Sequence, residues 1–118
     1  MHCDGEPVRV SMCHCLACQK RSGSVFAVTA RWPAERVTFE GRANEWQRTG
    51  DEGSTATFRF CPTCGATVYW DSDGIPGMIA VAAGAFADPA FPPPTVSVYG
   101  SRRHPWVTTA GVVIEELD

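Results

Sequence analysis

The stretch Cys13-His14-Cys15-Leu16-Ala17-Cys18 carries three cysteines within six residues, and a second cluster, Cys61-Pro62-Thr63-Cys64-Gly65, follows far downstream. Together the two clusters hold five cysteines, one more than a single tetrahedral zinc ion can bind. A structural zinc takes four protein ligands, whereas a catalytic zinc takes three and keeps a position for water or substrate. The spacing therefore predicts two metal positions, or one metal and a free reactive cysteine, in a fold organised around thiolates.

The length and composition are those of one ordinary globular domain. The chain has 118 residues, of which 44% are hydrophobic and 19% are charged, so we expect a single domain over residues 1–118. The net charge of −3 argues against a nucleic-acid partner, because such surfaces carry a basic excess. The longest apolar run, 79–87, is too short to span a bilayer, so we expect no membrane partner. The sequence leaves self-association open, and a homo-oligomer is compatible with it.

The first residues and the cysteine usage together indicate a compartment. The start, Met1-His2-Cys3-Asp4-Gly5-Glu6, has neither the basic beginning nor the apolar centre of a signal peptide. In a cytoplasmic chain, clustered thiols are better explained by metal binding than by disulfides. We therefore predict a cytoplasmic, metal-binding protein.

Alternating apolar residues between Gly, Pro and Asp punctuation predict a mainly β fold. The only segment with the composition of a helix is Leu16 to Ser22, stopped by Gly23. We predict one compact domain of twisted antiparallel sheets that carries zinc knuckles. The predicted strand runs are 8–12, 26–30, 37–39, 58–60, 68–70, 78–83, 95–99 and 112–115.

The downstream cluster has the form of a zinc knuckle. Cys61 and Cys64 are three positions apart, so their thiolates can turn onto one metal ion. Gly65 follows directly and allows the backbone to fold closely around the sulfurs. This cluster supplies two ligands and needs two more.

The upstream cluster has a different geometry. Alternate strand residues point to one face of a sheet, so Cys13 and Cys15 can project together while His14 points away. Cys18 then returns from the following turn, and three cysteines make the ligand set of an open site. We expect His14 to be a partly exposed neighbour rather than a ligand. The other two histidines are weak ligand candidates. His2 lies in a terminus that we expect to be mobile, and His104 precedes a proline in a loop near the end of the chain.

A closed structural site is the alternative that the spacing leaves open. Two Cys-x-x-Cys pairs could share one zinc ion as a zinc ribbon, which would leave Cys13 outside the site. The four ligands would then be Cys15, Cys18, Cys61 and Cys64.

The segment 5–23, GEPVRVSMCHCLACQKRSG, resembles the signature of the glutathione-dependent formaldehyde-activating enzyme family, which also includes centromere protein V. The resemblance continues through 60–65, 84–89 and 103–106. It implies a mainly β, metal-bearing fold that is similar to the methionine sulfoxide reductase B fold. It also implies that Cys13, Cys15 and Cys18 are the ligands of a catalytic zinc. Cys61 and Cys64 would join an early Cys-x-Cys pair around a structural zinc.

The chain departs from the family pattern at its beginning. Family members open with a strand that carries Cys-x-Cys-Gly before the Gly-Glu-Pro segment, whereas only Cys3 precedes Gly5 in this sequence. We expect the reading frame to begin upstream of Met1, in which case the upstream DNA encodes the missing strand in frame. The alternative is a real deletion, which would leave Cys61 and Cys64 as free thiols or combined with Cys3.

The activity that the resemblance implies is that of a carbon–sulfur lyase acting on the adduct of a thiol and an aldehyde, such as S-(hydroxymethyl)glutathione. Three thiolates make zinc a poor Lewis acid, better suited to holding another thiolate as a nucleophile. We therefore expect zinc as the cofactor, glutathione as the co-substrate and formaldehyde as the small aldehyde. The predicted catalytic residues are Cys13, Cys15 and Cys18.

Glutathione carries two carboxylates, which need cationic or backbone donors. Two basic residues follow the cysteine cluster and two lie in the late loop, and each is also explained as a solvated surface charge. The candidates for this binding role are Lys20, Arg21, Arg102 and Arg103. Three tryptophans are expected to be core or rim aromatics rather than walls of a binding site: Trp46, Trp70 and Trp106.

Two functions of other classes remain open. A non-catalytic zinc module that binds a partner would keep its metal and turn over no thiol–aldehyde adduct. A thiol redox enzyme of the methionine sulfoxide reductase type would need a cysteine that stays off the metal, and nearly all six cysteines here have ligand-like spacing.

Overall fold

The computed structural model describes residues 1–112 and 114–117. The predicted mainly β fold is confirmed, and the predicted helix lies at its predicted bounds. Within the described residues, the elements are β1 (His2–Cys3), β2 (Arg9–Cys13), α1 (Leu16–Ser22), β3 (Ala27–Pro33), β4 (Val37–Thr38), β5 (Asn44–Thr49), β6 (Thr55–Phe60), β7 (Thr67–Ser72), β8 (Met78–Ala82), β9 (Val96–Val98) and β10 (Glu115–Leu117). Short 3-10 helices occupy Ala34–Arg36, Ala83–Phe86 and Gly100–Arg102.

Eight of these strands form one sheet, in the order β10-β9-β2-β3-β8-β7-β6-β5. Its neighbours are antiparallel except at β9, which runs parallel to both β2 and β10. The other two strands, β1 and β4, pair with each other, and this pairing ties His2 to Thr38. His2 is therefore part of a strand pair and not of a mobile terminus. In the last predicted run, 112–115, Val113 lies outside the described residues.

The hydrophobic core lies on one face of the eight-stranded sheet. Along β2, Val10 and Met12 are buried, while Val8, which was expected to share their face, precedes the strand and is 54% exposed. Trp32 of β3 is 2% exposed, and its indole Nε1 donates a hydrogen bond to the Gly5 carbonyl at 3.0 Å. The central cluster of this core is Val10, Ala30, Trp32, Val37, Ile79 and Val81.

Both ends of helix α1 are capped, the first by the Cys15 side chain and the second by the Gly23 backbone. The Cys15 sulfur caps its N-terminus by accepting a hydrogen bond from the Cys18 backbone N–H at 3.2 Å. Gly23 ends the helix in the left-handed region at φ 68°, where a Cβ is unfavourable, and its N–H donates to the Gln19 carbonyl. The helix therefore starts at the cysteine cluster and ends about two turns later, at Ser22.

Candidate functional site

The structure brings the three upstream cysteines together. Their ligand atoms, the sulfurs of Cys13, Cys15 and Cys18, all lie within 4.8 Å of one another. Cys13 ends β2, Cys15 caps helix α1 and Cys18 lies in the first turn of that helix. A tetrahedral zinc ion with Zn–S bonds of about 2.3 Å would separate its sulfurs by about 3.8 Å. The cluster therefore has the residue type and spacing to hold a metal ion.

The three thiols do not ionise alike. Hydrogen bonds from the Cys13 and Cys18 thiols lower the pKa of Cys15, and the Cys18 backbone N–H and the charge of Arg48 lower it further against the opposing effect of burial. The hydrogen bonds to Cys15 and Cys18, together with burial, raise the pKa of Cys13. For Cys18, the hydrogen bond with Cys13 lowers the pKa, but the bond to Cys15, burial and the Cys15 charge outweigh it and the pKa is raised. The hydrogen bonds within the cluster, the Cys18 N–H and the Arg48 charge thus favour the thiolate form of Cys15.

His14 lies inside the protein, which corrects the expectation that it is a partly exposed neighbour. It is 0% exposed, and its ring stands 6.0 Å from that of Phe26. Strand alternation does turn it away from the cysteines, but that side of the chain here is covered by protein. Neither ring nitrogen has a hydrogen-bond partner among the described residues. Burial and then the Arg103 charge lower the pKa of His14, while the Glu116 charge opposes them.

Gln19 connects helix α1 to the late loop, the segment that carries Arg102 and His104. The sequence does not predict this role. Its side-chain Nε2 donates to the carbonyls of His14, at 2.8 Å, and Arg102, at 3.1 Å. Its Oε1 lies 2.9 Å from the Nε2 of His104, which we assign as the donor because Oε1 can only accept. The only sequence signal was its place one helical turn after the N-cap residue, Cys15.

At the downstream cluster, the predicted knuckle, residues 61–65 form a tight backbone turn. The Cys61 N–H donates to the Ala66 carbonyl at 2.9 Å, and the Gly65 N–H donates to the Cys61 carbonyl at 2.8 Å. Gly65 has φ 78°, which explains why glycine stands there. Backbone N–H groups of Cys64 and Thr63, and then the Cys64 thiol, lower the pKa of Cys61. These contacts favour the thiolate form of Cys61.

The knuckle stays separate from the upstream cluster. Among residues 1–112 and 114–117, the only group of three or more potential metal ligands is the Cys13, Cys15 and Cys18 cluster. The closed ribbon that would join both Cys-x-x-Cys pairs is therefore not formed. Cys3 does not complete the knuckle either, because it packs against the hydrophobic core.

A cleft of about 450 Å³ opens beside the upstream cluster, on the sheet face opposite the core. Its volume is within the range of about 300–1,000 Å³ that small-molecule sites occupy. Cys13 and Cys18 line it, together with Trp70 and Tyr99. Glu52 is the one acidic residue that lines the cleft among the described residues. Four arginines line it as well: Arg9, Arg21, Arg31 and Arg48. The cleft is therefore strongly cationic.

Of the four basic residues proposed from the sequence, Arg21 alone lines this cleft. Its guanidinium carbon lies 4.5 Å from the ring centroid of Trp70 and 5.3 Å from that of Phe58, so it is held over aromatic faces. Lys20 lines a neighbouring cavity with Trp46, which is 51% exposed.

The two late arginines have other contacts. Arg103 donates to a Glu116 carboxylate oxygen at 2.8 Å and to the Ser97 hydroxyl at 3.2 Å. Arg102 offers its carbonyl to Gln19. The late loop therefore contributes supporting contacts, and Trp106 beside it is 71% exposed.

Of the other cleft arginines, Arg9 could have been found from the sequence, whereas Arg31 and Arg48 depend on strand pairing. Arg9 and Cys13 are four positions apart on β2, so strand alternation places them on the same face. Arg31 lies opposite Arg9 on β3, and Arg48 lies on the edge strand β5. Trp70 was expected to be a core or rim residue, and the structure places it in the wall of the cleft.

Tyr99 has an unusual backbone at the mouth of the cleft. It adopts φ 56° and ψ 43°, a left-handed conformation that costs a non-glycine residue about 1–2 kcal/mol. Burial raises the pKa of its hydroxyl, and the negative charges of Glu52 and the cysteine cluster add to this effect. These effects favour the protonated form of the Tyr99 hydroxyl group.

The fold and the site define a mainly β protein with a cluster of three thiols, spaced as metal ligands are, beside a cationic cleft. The chain belongs to the family described as glutathione-dependent formaldehyde-activating enzyme, whose model matches residues 1–102. Comparison with curated proteins gives no significant match. No helix in the described ranges is long and apolar enough to cross a membrane.

Proposed function

We propose that this protein is a carbon–sulfur lyase acting on the adduct of a thiol and a small aldehyde, with S-(hydroxymethyl)glutathione as the candidate substrate. The observation that carries the proposal is the cluster of three cysteine sulfurs, mutually within 4.8 Å, beside a cleft lined by four arginines. The family match supports glutathione and formaldehyde as the reactants.

Zinc is the proposed cofactor, held by Cys13, Cys15 and Cys18. Three thiolates suit zinc, and the cluster accommodates the sulfur separation of a tetrahedral ion. When bound, zinc supplies a position at which an external thiol is held as a thiolate. We propose Cys61 and Cys64 as two ligands of a second, structural position.

The residues of the chain then serve the bond-forming step. In the synthetic direction, the thiol loses its proton, its sulfur adds to the aldehyde carbon, and the carbonyl oxygen takes up a proton; cleavage reverses these changes. The positive charges of Arg48 near Cys15 and Arg21 near Cys18 favour negative charge at this end of the cleft. Tyr99 lines the same cleft with a protonated hydroxyl group and is the proposed proton donor to the oxygen.

The arrangement favours this chemistry over thiol redox catalysis. A reductase of the methionine sulfoxide type needs a cysteine that stays off the metal, whereas both cysteines that line the cleft, Cys13 and Cys18, belong to the three-cysteine cluster. All six cysteines are free thiols, which fits our proposal of a cytoplasmic location.

The zinc-loaded protein should accelerate the exchange between glutathione, formaldehyde and their adduct. We expect two-dimensional exchange NMR to show exchange at least about tenfold faster than in buffer, a lowering of the barrier by about 1.4 kcal/mol. The matched control is the same protein after its zinc is removed by a chelator. Unchanged exchange rates with the fully zinc-loaded protein would exclude the proposed activity.

A further inference from the structure

Two arginines face each other on the floor of the cleft. Arg9 of β2 and Arg31 of β3 are direct register partners in the antiparallel sheet, and both line the cleft. The next pair toward the cysteines is Ser11 and Thr29, whose hydroxyl groups lie on the same face. Cys13 ends this row, so the arginine pair and the cysteine cluster belong to one continuous surface.

Neither arginine of this pair is neutralised within the part of the chain that the structure describes. Among residues 1–112 and 114–117, no carboxylate lies within ion-pair distance of Arg9 or Arg31, whereas Arg59 and Arg103 have acidic partners. The Nε of Arg9 is buried and has no hydrogen-bond partner among the described residues. Like charges placed directly opposite each other destabilise a sheet, and a buried donor without a partner adds to that cost.

The ionisation of Arg31 is consistent with a site that attracts an anion. Burial, followed by the positive charge of Arg9, lowers the pKa of Arg31. A carboxylate between the two guanidinium groups would offset their repulsion and could accept the paired N–H bonds that arginine offers in a fixed fork.

We propose that Arg9 and Arg31 bind a carboxylate of the thiol substrate and thereby select an acidic thiol of extended shape. The inference rests on the proposed function, because it assigns the substrate sulfur to the cysteine cluster. Arg9 and Cys13 are four positions apart on β2, a backbone distance of about 13 Å. The arginine side chains shorten the span that the substrate has to cover. A short thiol without an acid group would reach the cysteines but not the pair.

The test measures binding apart from catalysis. S-methylglutathione cannot supply a thiolate, so its affinity for the zinc-loaded protein reports the contacts of its carboxylates. We expect isothermal titration calorimetry to show about tenfold weaker binding for Arg9→Gln and for Arg31→Gln, and a smaller loss for Arg31→Lys, which keeps the charge. The dimethyl ester of S-methylglutathione should bind the wild-type protein at least about tenfold more weakly than the acid does.

The matched control is Arg42→Gln, an exposed arginine that does not line the cleft and whose substitution should leave the affinity unchanged. The glutamine variants should unfold at no lower temperature than the wild type, because each removes one of two facing like charges. In the exchange assay they should raise KM for glutathione and leave kcat within about twofold.

The possible results separate this inference from the proposed function. If binding of S-methylglutathione depends on Arg9 and Arg31 but exchange is not accelerated, the anion site is supported and the lyase activity is wrong. If exchange is accelerated and both glutamine variants bind S-methylglutathione as the wild type does, the anion site is wrong. Equal affinities of the wild-type protein for the acid and its ester would also overturn it.

Discussion

Replacing Cys15 with serine should abolish the exchange of glutathione with formaldehyde while the domain stays folded. Serine is a preferred N-cap residue, so its hydroxyl can accept the hydrogen bond that the Cys15 sulfur now accepts from the Cys18 N–H. The substitution nevertheless removes one of the three sulfurs whose mutual spacing suits a tetrahedral metal ion. We expect the exchange rate to fall by at least about 100-fold, a rise in the barrier of about 2.7 kcal/mol.

Two further variants serve as controls for Cys15→Ser. Cys3→Ser also changes a partly buried cysteine, but one that packs on the core away from the cluster, so it should keep the exchange activity. Cys15→Ala removes both the thiol and the helix cap, and should unfold more readily than Cys15→Ser by about 1 kcal/mol. Wild-type exchange by Cys15→Ser at full zinc content would show that Cys15 has no part in the chemistry.

The largest loss of stability is expected from Trp32→Ala. Trp32 is 2% exposed in the core, where its ring centroid lies 5.7 Å from that of Phe86 and 6.4 Å from that of Phe91. Its indole also holds the Gly5 carbonyl. Removing a buried tryptophan costs about 3–5 kcal/mol, against a total stability of about 5–15 kcal/mol for a typical domain. We expect denaturant unfolding to show a loss in this range or no folded protein.

The control for this prediction is Trp106→Ala. Trp106 is 71% exposed, so its removal should change the free energy of unfolding by no more than about 0.5 kcal/mol. Similar effects of the two substitutions would contradict the assignment of the core to the sheet face that carries Trp32.

The sequence predicts the elements whose apolar residues alternate and whose ends carry a clear signal. Helix α1 has its predicted bounds, because Gly23 supplies the left-handed residue that ends it. Strand β5 was missed because five of its six residues are exposed and polar side chains dominate it. As the edge strand it is held by backbone pairing with β6, which leaves no hydrophobic period to detect.

The cysteine cluster could be predicted because its ligands are close in sequence. The burial of His14 could not, since strand alternation gives the direction of a side chain but not what covers it there. Gln19 and His104 meet across 85 positions, and such a contact depends on where the late loop lies.

The arginines of the cleft are only partly predictable from the sequence. The basic residues next to the cysteines in sequence were proposed first, but only Arg21 among them reaches the cleft. Arg9 could have been placed there by its alternation with Cys13. Arg31 required the register of β2 against β3, which the sequence does not give.

Anomalous scattering at the zinc edge, measured on crystals of the zinc-loaded protein, tests the central claim most directly. We expect an ion bound by the sulfurs of Cys13, Cys15 and Cys18, with a fourth position that is not filled by the knuckle at 61–64. Any zinc at that knuckle should be a separate peak. One ion shared by Cys15, Cys18, Cys61 and Cys64, or no ion at Cys13, would contradict this account.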